Sequence, residues 1–383
     1  MKNLLNSIFQ EKNKELLFLI LKYYIIVLYI VQIIQLISTY LISTSSTATT
    51  TKIMGQYISA AYFINYNNGF ISRGFLGTFF NLFPDKFFIL AIFCYNIIII
   101  TFIFVYFYKE VSQFINKFKD IDIQKNKKLF MGTLSPILLI SFFEIFGRFD
   151  NTLYLIFILI LLINQHFKNN FIKFNLIIAL SIMGILIHQI FIFLIFPFIL
   201  ITFIDENKYK EALMYSIICM ICFIFCYIFG KQDFNIVYDN IIEKISKVNY
   251  YKYFKNEHFC SLETAQNDID AMLQLEYKYS VFKHPFLLKY DIIGHILCWV
   301  IYFIAFIIPL SSQITMIKKV LIKEKTIFNL NKYKTYCFII IVFYLPLYIL
   351  AIDYERWIIG FSAMMNITFF YFIKNKNTKE IVN

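Results

Sequence analysis

Three arginines stand out among the 36 basic residues of this 383-residue chain: Arg73, Arg148 and Arg356. Everywhere else a positive charge is carried by lysine. Arginine offers a planar fork of donors that fits two oxygens of one phosphate or carboxylate, which a lysine point charge does not. Each arginine lies in a compact polar motif at the end of an apolar run. The chemistry this suggests is the grip of an anion from several sides.

The first motif is Asn65-Tyr66-Asn67-Asn68-Gly69-Phe70-Ile71-Ser72-Arg73-Gly74-Phe75-Leu76-Gly77. Glycine tolerates positive φ, so Gly69, Gly74 and Gly77 can aim successive N–H groups at one point beside the Arg73 guanidinium, an anion cradle. The alternative is an interfacial turn whose glycines only permit close packing. Residues 16–84 contain no Asp or Glu, so the anion for Arg73 comes from another segment or from a ligand.

The second motif is Glu144-Ile145-Phe146-Gly147-Arg148-Phe149-Asp150-Asn151. Glu144 and Arg148 are spaced i, i+4 with the acid first, the favourable order for a helix-surface pair. A structural ion pair closing a span and a ligand-binding arginine are both open there. Asp150 is placed to cap the following helix. The third motif is Asp353-Tyr354-Glu355-Arg356-Trp357. Asp353 and Arg356 can pair at i, i+3, whereas Glu355 cannot share that face. Tyr354 and Trp357 also fit a plain interfacial belt.

His188-Gln189 is the main polar break in the apolar stretch 176–204, and residues 151–204 contain no acid. A packing histidine is the bland alternative to a base or phosphate contact. Asp291 and His295 are weaker candidates of the same kind. Five groups could activate a hydroxyl: Glu144, Asp150, His188, Asp353 and Glu355. Pairing with arginine makes Glu144 and Asp353 poorer bases. That leaves His188, expected to titrate near neutrality, or Glu355 as the favoured base, with Asp150 in reserve.

These residues need elements to hold them. Hydrophobic residues make up 60% of the chain and charged residues 16%, against about 25% charged in a soluble domain. Mean hydropathy is +0.66, and apolar runs near the bilayer-crossing length of about 20 residues recur throughout. The sequence predicts an all-α, polytopic membrane protein. Runs at 16–37, 87–108, 130–145, 153–163, 176–204, 212–230, 292–317, 336–352 and 357–373 give about ten spans if 176–204 is a helical hairpin. The first run is long for a signal peptide and is read as an uncleaved anchor. Residues 1–230 then form an N-terminal membrane unit and 291–383 a C-terminal one. Between them, 231–290 is the one larger extracytoplasmic loop, expected to fold as a lid over the arginines.

Lysines cluster at 2–14, 109–128, 168–173, 208–210, 318–325 and 374–379, on alternate loops. The positive-inside rule then puts both termini in the cytoplasm of a bacterial inner membrane and all three arginines on the outer face. The net charge of +12 belongs to those loops, and no nucleic acid is implied. No phosphate-binding loop, dinucleotide fingerprint or zinc spacing occurs, so no cofactor and no metal are implied and an ATP-driven pump is disfavoured. The cysteines give no disulfide framework; Cys219, Cys222 and Cys226 share a helix face as packing residues.

Lipid-pyrophosphate-linked sugars would call for such a set. Their tails need helix grooves, their pyrophosphate needs arginine, and transfer needs a base. The pattern Asn65-Tyr66-x-x-Gly69-Phe70-x-x-Arg73-Gly74-x-x-Gly77, Gly147-Arg148-x-Asp150, His188 at a span break and Asp353-Tyr354-x-Arg356-Trp357 resembles bacterial membrane proteins of surface-polysaccharide assembly. It is similar to the O-antigen polymerase and ligase group and, more loosely, to GT-C glycosyltransferases. The resemblance spans most of the chain through short motifs. It implies a glycosyltransferase or repeat-unit polymerase, with Arg73, Arg148 and Arg356 holding a lipid-linked oligosaccharide donor and a glycan as acceptor. GT-C enzymes carry an acid in the first outer loop; this chain has none in 38–84, which favours a metal-free route. Two other classes remain open. A transporter or flippase of lipid-linked or anionic solutes would place polar groups mid-membrane on broken helices and show repeats. A structural subunit would pair every arginine internally.

Overall fold

The computed structural model describes residues 13–44, 61–71, 73–119, 122, 126–133, 136–144, 146–230, 236, 239–240, 243–244, 247, 300, 307, 309–318, 327–350 and 354–375. Among them the protein is all-helical, without a strand. The helices are α1 (Lys14–Thr44), α2 (Gly74–Phe80), α3 (Phe88–Phe118), α4 (Lys127–Met131), α5 (Pro136–Glu144), α6 (Phe149–His166), α7 (Asn170–Ile187), α8 (Phe191–Leu194), α9 (Phe196–Asp205), α10 (Tyr209–Phe229), α11 (Ile327–Leu350) and α12 (Tyr354–Asn375). Short 3-10 turns cover Ala61–Phe63 and Asp85–Phe87.

Six helices are long and apolar enough to cross a membrane: α1, α3, α6, α7, α10 and α12. Phe191–Asp205 and Lys334–Leu347 are shorter apolar helices. The described residues thus give six spans where the sequence predicts about ten. The expected span at 130–145 is broken: α4 stops at Met131, Gly132 follows, and α5 begins only at Pro136. The span at 292–317 lies largely outside the described residues, as does most of the loop at 231–290.

The stretch 176–204 folds as the expected hairpin. Asn169 caps α7 by accepting the N–H groups of Phe171 and Ile172. At the other end α7 gives way at His188, and the chain turns back through α8 and α9. Gly184 permits the reversal, since a Cβ there would lie 2.4 Å from the Phe191 ring. The return is antiparallel: Phe174 near the start of α7 meets Phe203 near the end of α9. Asn207, at φ 60, then ends the hairpin while the Lys208 N–H bonds the Phe203 carbonyl, a Schellman-type stop.

Chain direction divides the bundle into two ends. Asp85, Phe149, His188, Phe229 and Arg356 lie at one, the arginine end. Lys117, His166, Lys208 and Lys374 lie at the other, the lysine end. Contacts between helices respect this division. Phe70 meets Phe225 at the first end, while Lys117 reaches the Ile373 carbonyl and Lys374 reaches Glu110 at the second.

Aromatic rings fill the interior, among them Tyr62, Tyr154, Phe142 and Phe157, all essentially inaccessible. Apolar side chains also cover the outside of the long helices, such as Ile30 and Ile34 of α1, Phe102 and Val105 of α3, and Ile221 and Ile228 of α10. An apolar exterior of this kind suits lipid, where the helices hold together by packing and interhelical hydrogen bonds. Tyr29 to Thr101, Tyr95 to Thr152, Ser181 to Tyr215 and Tyr344 to the Leu194 carbonyl are such bonds. Each contributes on the order of 0.6 kcal/mol. α12 is buried along most of its length, which makes it the central post that carries Arg356.

Candidate functional site

The site is built around a carboxylate and an arginine from opposite halves of the chain. Asp150, in the first turn of α6, is wholly buried. Its Oδ2 accepts from Arg356 Nε, on the first turn of α12, at 2.8 Å. The two are 206 residues apart in sequence. Asp150 is a partner of Arg356 that the sequence does not suggest; the expected partner, Asp353, lies outside the described residues. Asp150 is also not a cap: Arg148 holds the N-cap position, with no side-chain bond. The Arg356 guanidinium rests 5.0 Å from the centre of the Trp357 ring, so one face is covered by an aromatic surface.

His188 is the third member. It is 7% exposed, in the break between α7 and α8, with its ring edge-on to Phe149 at 6.5 Å. Its Nδ1 accepts the Ile190 N–H at 3.1 Å. A neutral ring bonded in this way carries its proton on Nε2. Nε2 stands 3.4 Å from Arg356 Nη2, so two donors face each other. Burial, then Arg73, then Arg356 hold the His188 ring well below its ordinary pKa. The expectation of a group titrating near neutrality is thus not met: burial first, and then two guanidiniums from distant segments, disfavour the imidazolium.

The remaining arginines act electrostatically on groups of this cluster. Arg73 acts on His188, and Arg148 acts with Arg356 and Asp150 on the Tyr154 hydroxyl. No single helix carries this set. It assembles from the turn before α2, the α5–α6 turn, the α7–α8 break and the start of α12.

Local folding explains how the first motif contributes. The Asn67 N–H bonds the Asn65 side chain, and Gly69, at φ 115, bonds back to the Tyr66 carbonyl. Thr78 then ties α2 to this turn by accepting the Tyr66 N–H at 2.8 Å. Gly77 is required by contact: a Cβ would lie 1.8 Å from the Ile64 carbonyl oxygen. At Gly74 a Cβ would lie 2.5 Å from the Tyr66 ring. The N–H groups of Gly69 and Gly74 bond the Tyr66 and Ile71 carbonyls and are not turned toward a common point. The backbone cradle expected from the sequence thus gives way to its alternative, a tightly packed turn. Its product is the placement of Arg73, held at φ 67 in the left-handed region.

The second motif also departs from expectation. α5 ends at Glu144, Gly147 adopts φ 85, and Arg148 is extended. Glu144 and Arg148 therefore do not share one helix, and the i, i+4 geometry is absent. Tyr62 anchors the turn by donating to the Gly147 carbonyl at 2.8 Å while accepting from Asn96 at 3.1 Å. The side chains of Glu144 and Glu355 are not described, and Asp291 and His295 lie outside the described residues.

Sequence reasoning missed Tyr154 and Tyr62. Tyr154 follows Asp150 by four residues, one helical turn, which could have flagged it. Tyr62 carries no such signal, because its partners Asn96 and Gly147 are remote in sequence. Of the loop at 231–290, Lys244 bonds Asp85 and lies 4.9 Å over the Phe88 ring, at the arginine end. No protein family, no characterised protein and no solved structure matches the chain.

Proposed function

We propose that this protein is a membrane glycosyltransferase or oligosaccharide polymerase that takes a sugar from a lipid-pyrophosphate carrier at the outer face of the membrane. The observation that supports the reading is the Asp150–Arg356–His188 cluster, on which Arg73 and Arg148 also act, at one end of an apolar bundle. His188 Nε2–H and Arg356 Nη2 confront each other across 3.4 Å, an arrangement that an acceptor oxygen between them would satisfy. A pyrophosphate presents such oxygens together with the charge that guanidiniums neutralise.

The roles then follow. Arg356, fixed on one side by Asp150, presents its fork to the leaving pyrophosphate. Neutral His188 donates to the same group and does not act as the base. Arg73 and Arg148 add charge as the sugar–phosphate bond breaks. The lipid tail lies along the apolar helix surfaces. Both termini lie in the cytoplasm.

Transport of a lipid-linked or anionic solute is a second reading, favoured by one observation. Near the middle of α12, Asn366 bonds Gln313, which bonds the Gly132 carbonyl at the α4–α5 break. Polar groups at a broken helix inside a bundle are a transporter feature. Proteoliposomes separate the two. An undecaprenyl-pyrophosphate oligosaccharide extracted from cells that make this protein should be extended with release of undecaprenyl pyrophosphate. Arg356→Lys should suppress that extension. Movement of the lipid between leaflets without any extension would reject the transferase in favour of the transporter.

A further inference from the structure

The anion-facing side of the cluster leaves two buried groups without a role. Asp150 Oδ1 is buried and has no hydrogen-bond partner, although Oδ2 of the same carboxylate is held by Arg356. One turn along α6, the Tyr154 hydroxyl is also buried without a partner. The two belong to one locus, since Asp150 and Arg356 both act on Tyr154. Gly360, one turn beyond Arg356 on α12, packs close to Tyr154: a Cβ there would lie 2.7 Å from Leu194 Cδ1 and 3.2 Å from the hydroxyl oxygen.

A buried carboxylate oxygen with no donor is destabilising, and a buried hydroxyl without a partner adds to that. Native proteins rarely leave such groups unfilled except where something else fills them. What Asp150 Oδ1 lacks is a donor. What the Tyr154 hydroxyl lacks is a partner of either sense. A single O–H group answers both, by donating to Oδ1 and accepting from the phenol. Phosphate cannot, because an ionised phosphate offers Oδ1 no proton.

We infer that Asp150 Oδ1 and the Tyr154 hydroxyl form a hydroxyl subsite next to the anion site, occupied by the acceptor sugar hydroxyl, and that Asp150 is the base that takes its proton. This rests on the transferase reading above. In the step, the acceptor O–H bond breaks and its proton moves to Asp150 Oδ1. The freed electron pair forms the new bond to the anomeric carbon. The bond from that carbon to the pyrophosphate oxygen breaks, and its electron pair leaves on the pyrophosphate, where the guanidiniums hold it. Asp150 then returns its proton to water. Arg356 aligns Oδ1 through its bond to Oδ2; that pairing weakens the carboxylate as a base, so the proton moves only as the bond to pyrophosphate breaks and the attacking hydroxyl becomes more acidic.

Tyr154→Phe tests this with little risk to folding, because the hydroxyl it removes bonds nothing in the resting protein. Donor binding is read by titrating the purified protein with farnesyl pyrophosphate. Transfer is read with the extracted undecaprenyl-pyrophosphate oligosaccharide, varying the concentration of its glycan acceptor. Tyr154→Phe should bind farnesyl pyrophosphate as the wild type does and raise the KM for acceptor at least tenfold. Asp150→Asn should lose at least a hundredfold in transfer rate. Wild-type acceptor KM and rate in Tyr154→Phe would overturn the subsite while leaving the transferase reading intact. A wild-type protein that binds farnesyl pyrophosphate yet never extends the oligosaccharide would overturn the transferase reading, and the subsite with it.

Discussion

The two ends of the bundle hold a carboxylate in opposite ways, Glu206 partly exposed and Asp150 fully buried. At the lysine end Glu206 is fully engaged. Oε1 accepts from Asn164 at 2.6 Å and from Tyr371 at 3.0 Å, and Oε2 accepts from Lys208 at 2.6 Å. Burial pushes its pKa up, but the bonds from Lys208 and Asn164 outweigh that and hold the carboxyl below its ordinary value. Its donors come from α6, α12 and the turn before α10, so the network locks three segments together. Asp150 at the arginine end has one oxygen held and the other open. A satisfied network fixes a fold, whereas an unfilled one in the interior costs stability and persists where a ligand completes it.

Removing each acid separates the two roles. Asp150→Ala removes the carboxylate that holds Arg356 Nε, a loss of up to about 3–5 kcal/mol. Thermal unfolding in detergent should fall sharply, and transfer should vanish even in the folded fraction. Glu206→Ala should also lower the melting temperature, yet transfer per folded molecule should stay near wild type. Loss of transfer in folded Glu206→Ala would break the distinction between the ends.

Gly77→Ala probes how the arginine end is assembled. A methyl 1.8 Å from the Ile64 carbonyl oxygen forces backbone to move, at a cost of about 3 kcal/mol. Arg73 should be displaced with α2, so both stability and farnesyl pyrophosphate binding should drop. Normal binding in a stable variant would show that Arg73 is positioned by something other than this turn.

Arg148→Lys is the milder test. Charge is kept and the fork is lost, so donor affinity should weaken by roughly tenfold, or about 1.4 kcal/mol. Unfolding temperature should hardly move. Unchanged affinity would mean that Arg148 supplies only charge.

The smallest effect is on pH. His188 has a folded pKa below its unfolded value of about 6.5, so the unfolded state binds the extra proton as pH falls. Its contribution is intact above about 6.5 and is lost progressively below that, at no more than about 1.4 kcal/mol per unit. The melting temperature should therefore decline between pH 7 and pH 5. His188→Gln should flatten that decline. An equally steep decline in the variant would assign the acid sensitivity to other groups.

Much of this protein is legible from residue order. Apolar runs of membrane length, the break at His188-Gln189 and the alternation of lysine clusters follow from local composition, because a helix in lipid satisfies its own backbone and needs only an apolar surface. The arginine motifs were visible for the same reason: each is local. The tertiary structure alone decided their partners. Arg356 binds Asp150 because α6 and α12 bring 206 residues of separation to 2.8 Å. The His188 ring is held below its ordinary pKa by burial in the bundle and then by Arg73 and Arg356 from other segments. Gly77 is indispensable because the chain at Ile64 crosses it. Pairing, charge state and close approach are properties of space and not of spacing, and no single stretch of this chain encodes them.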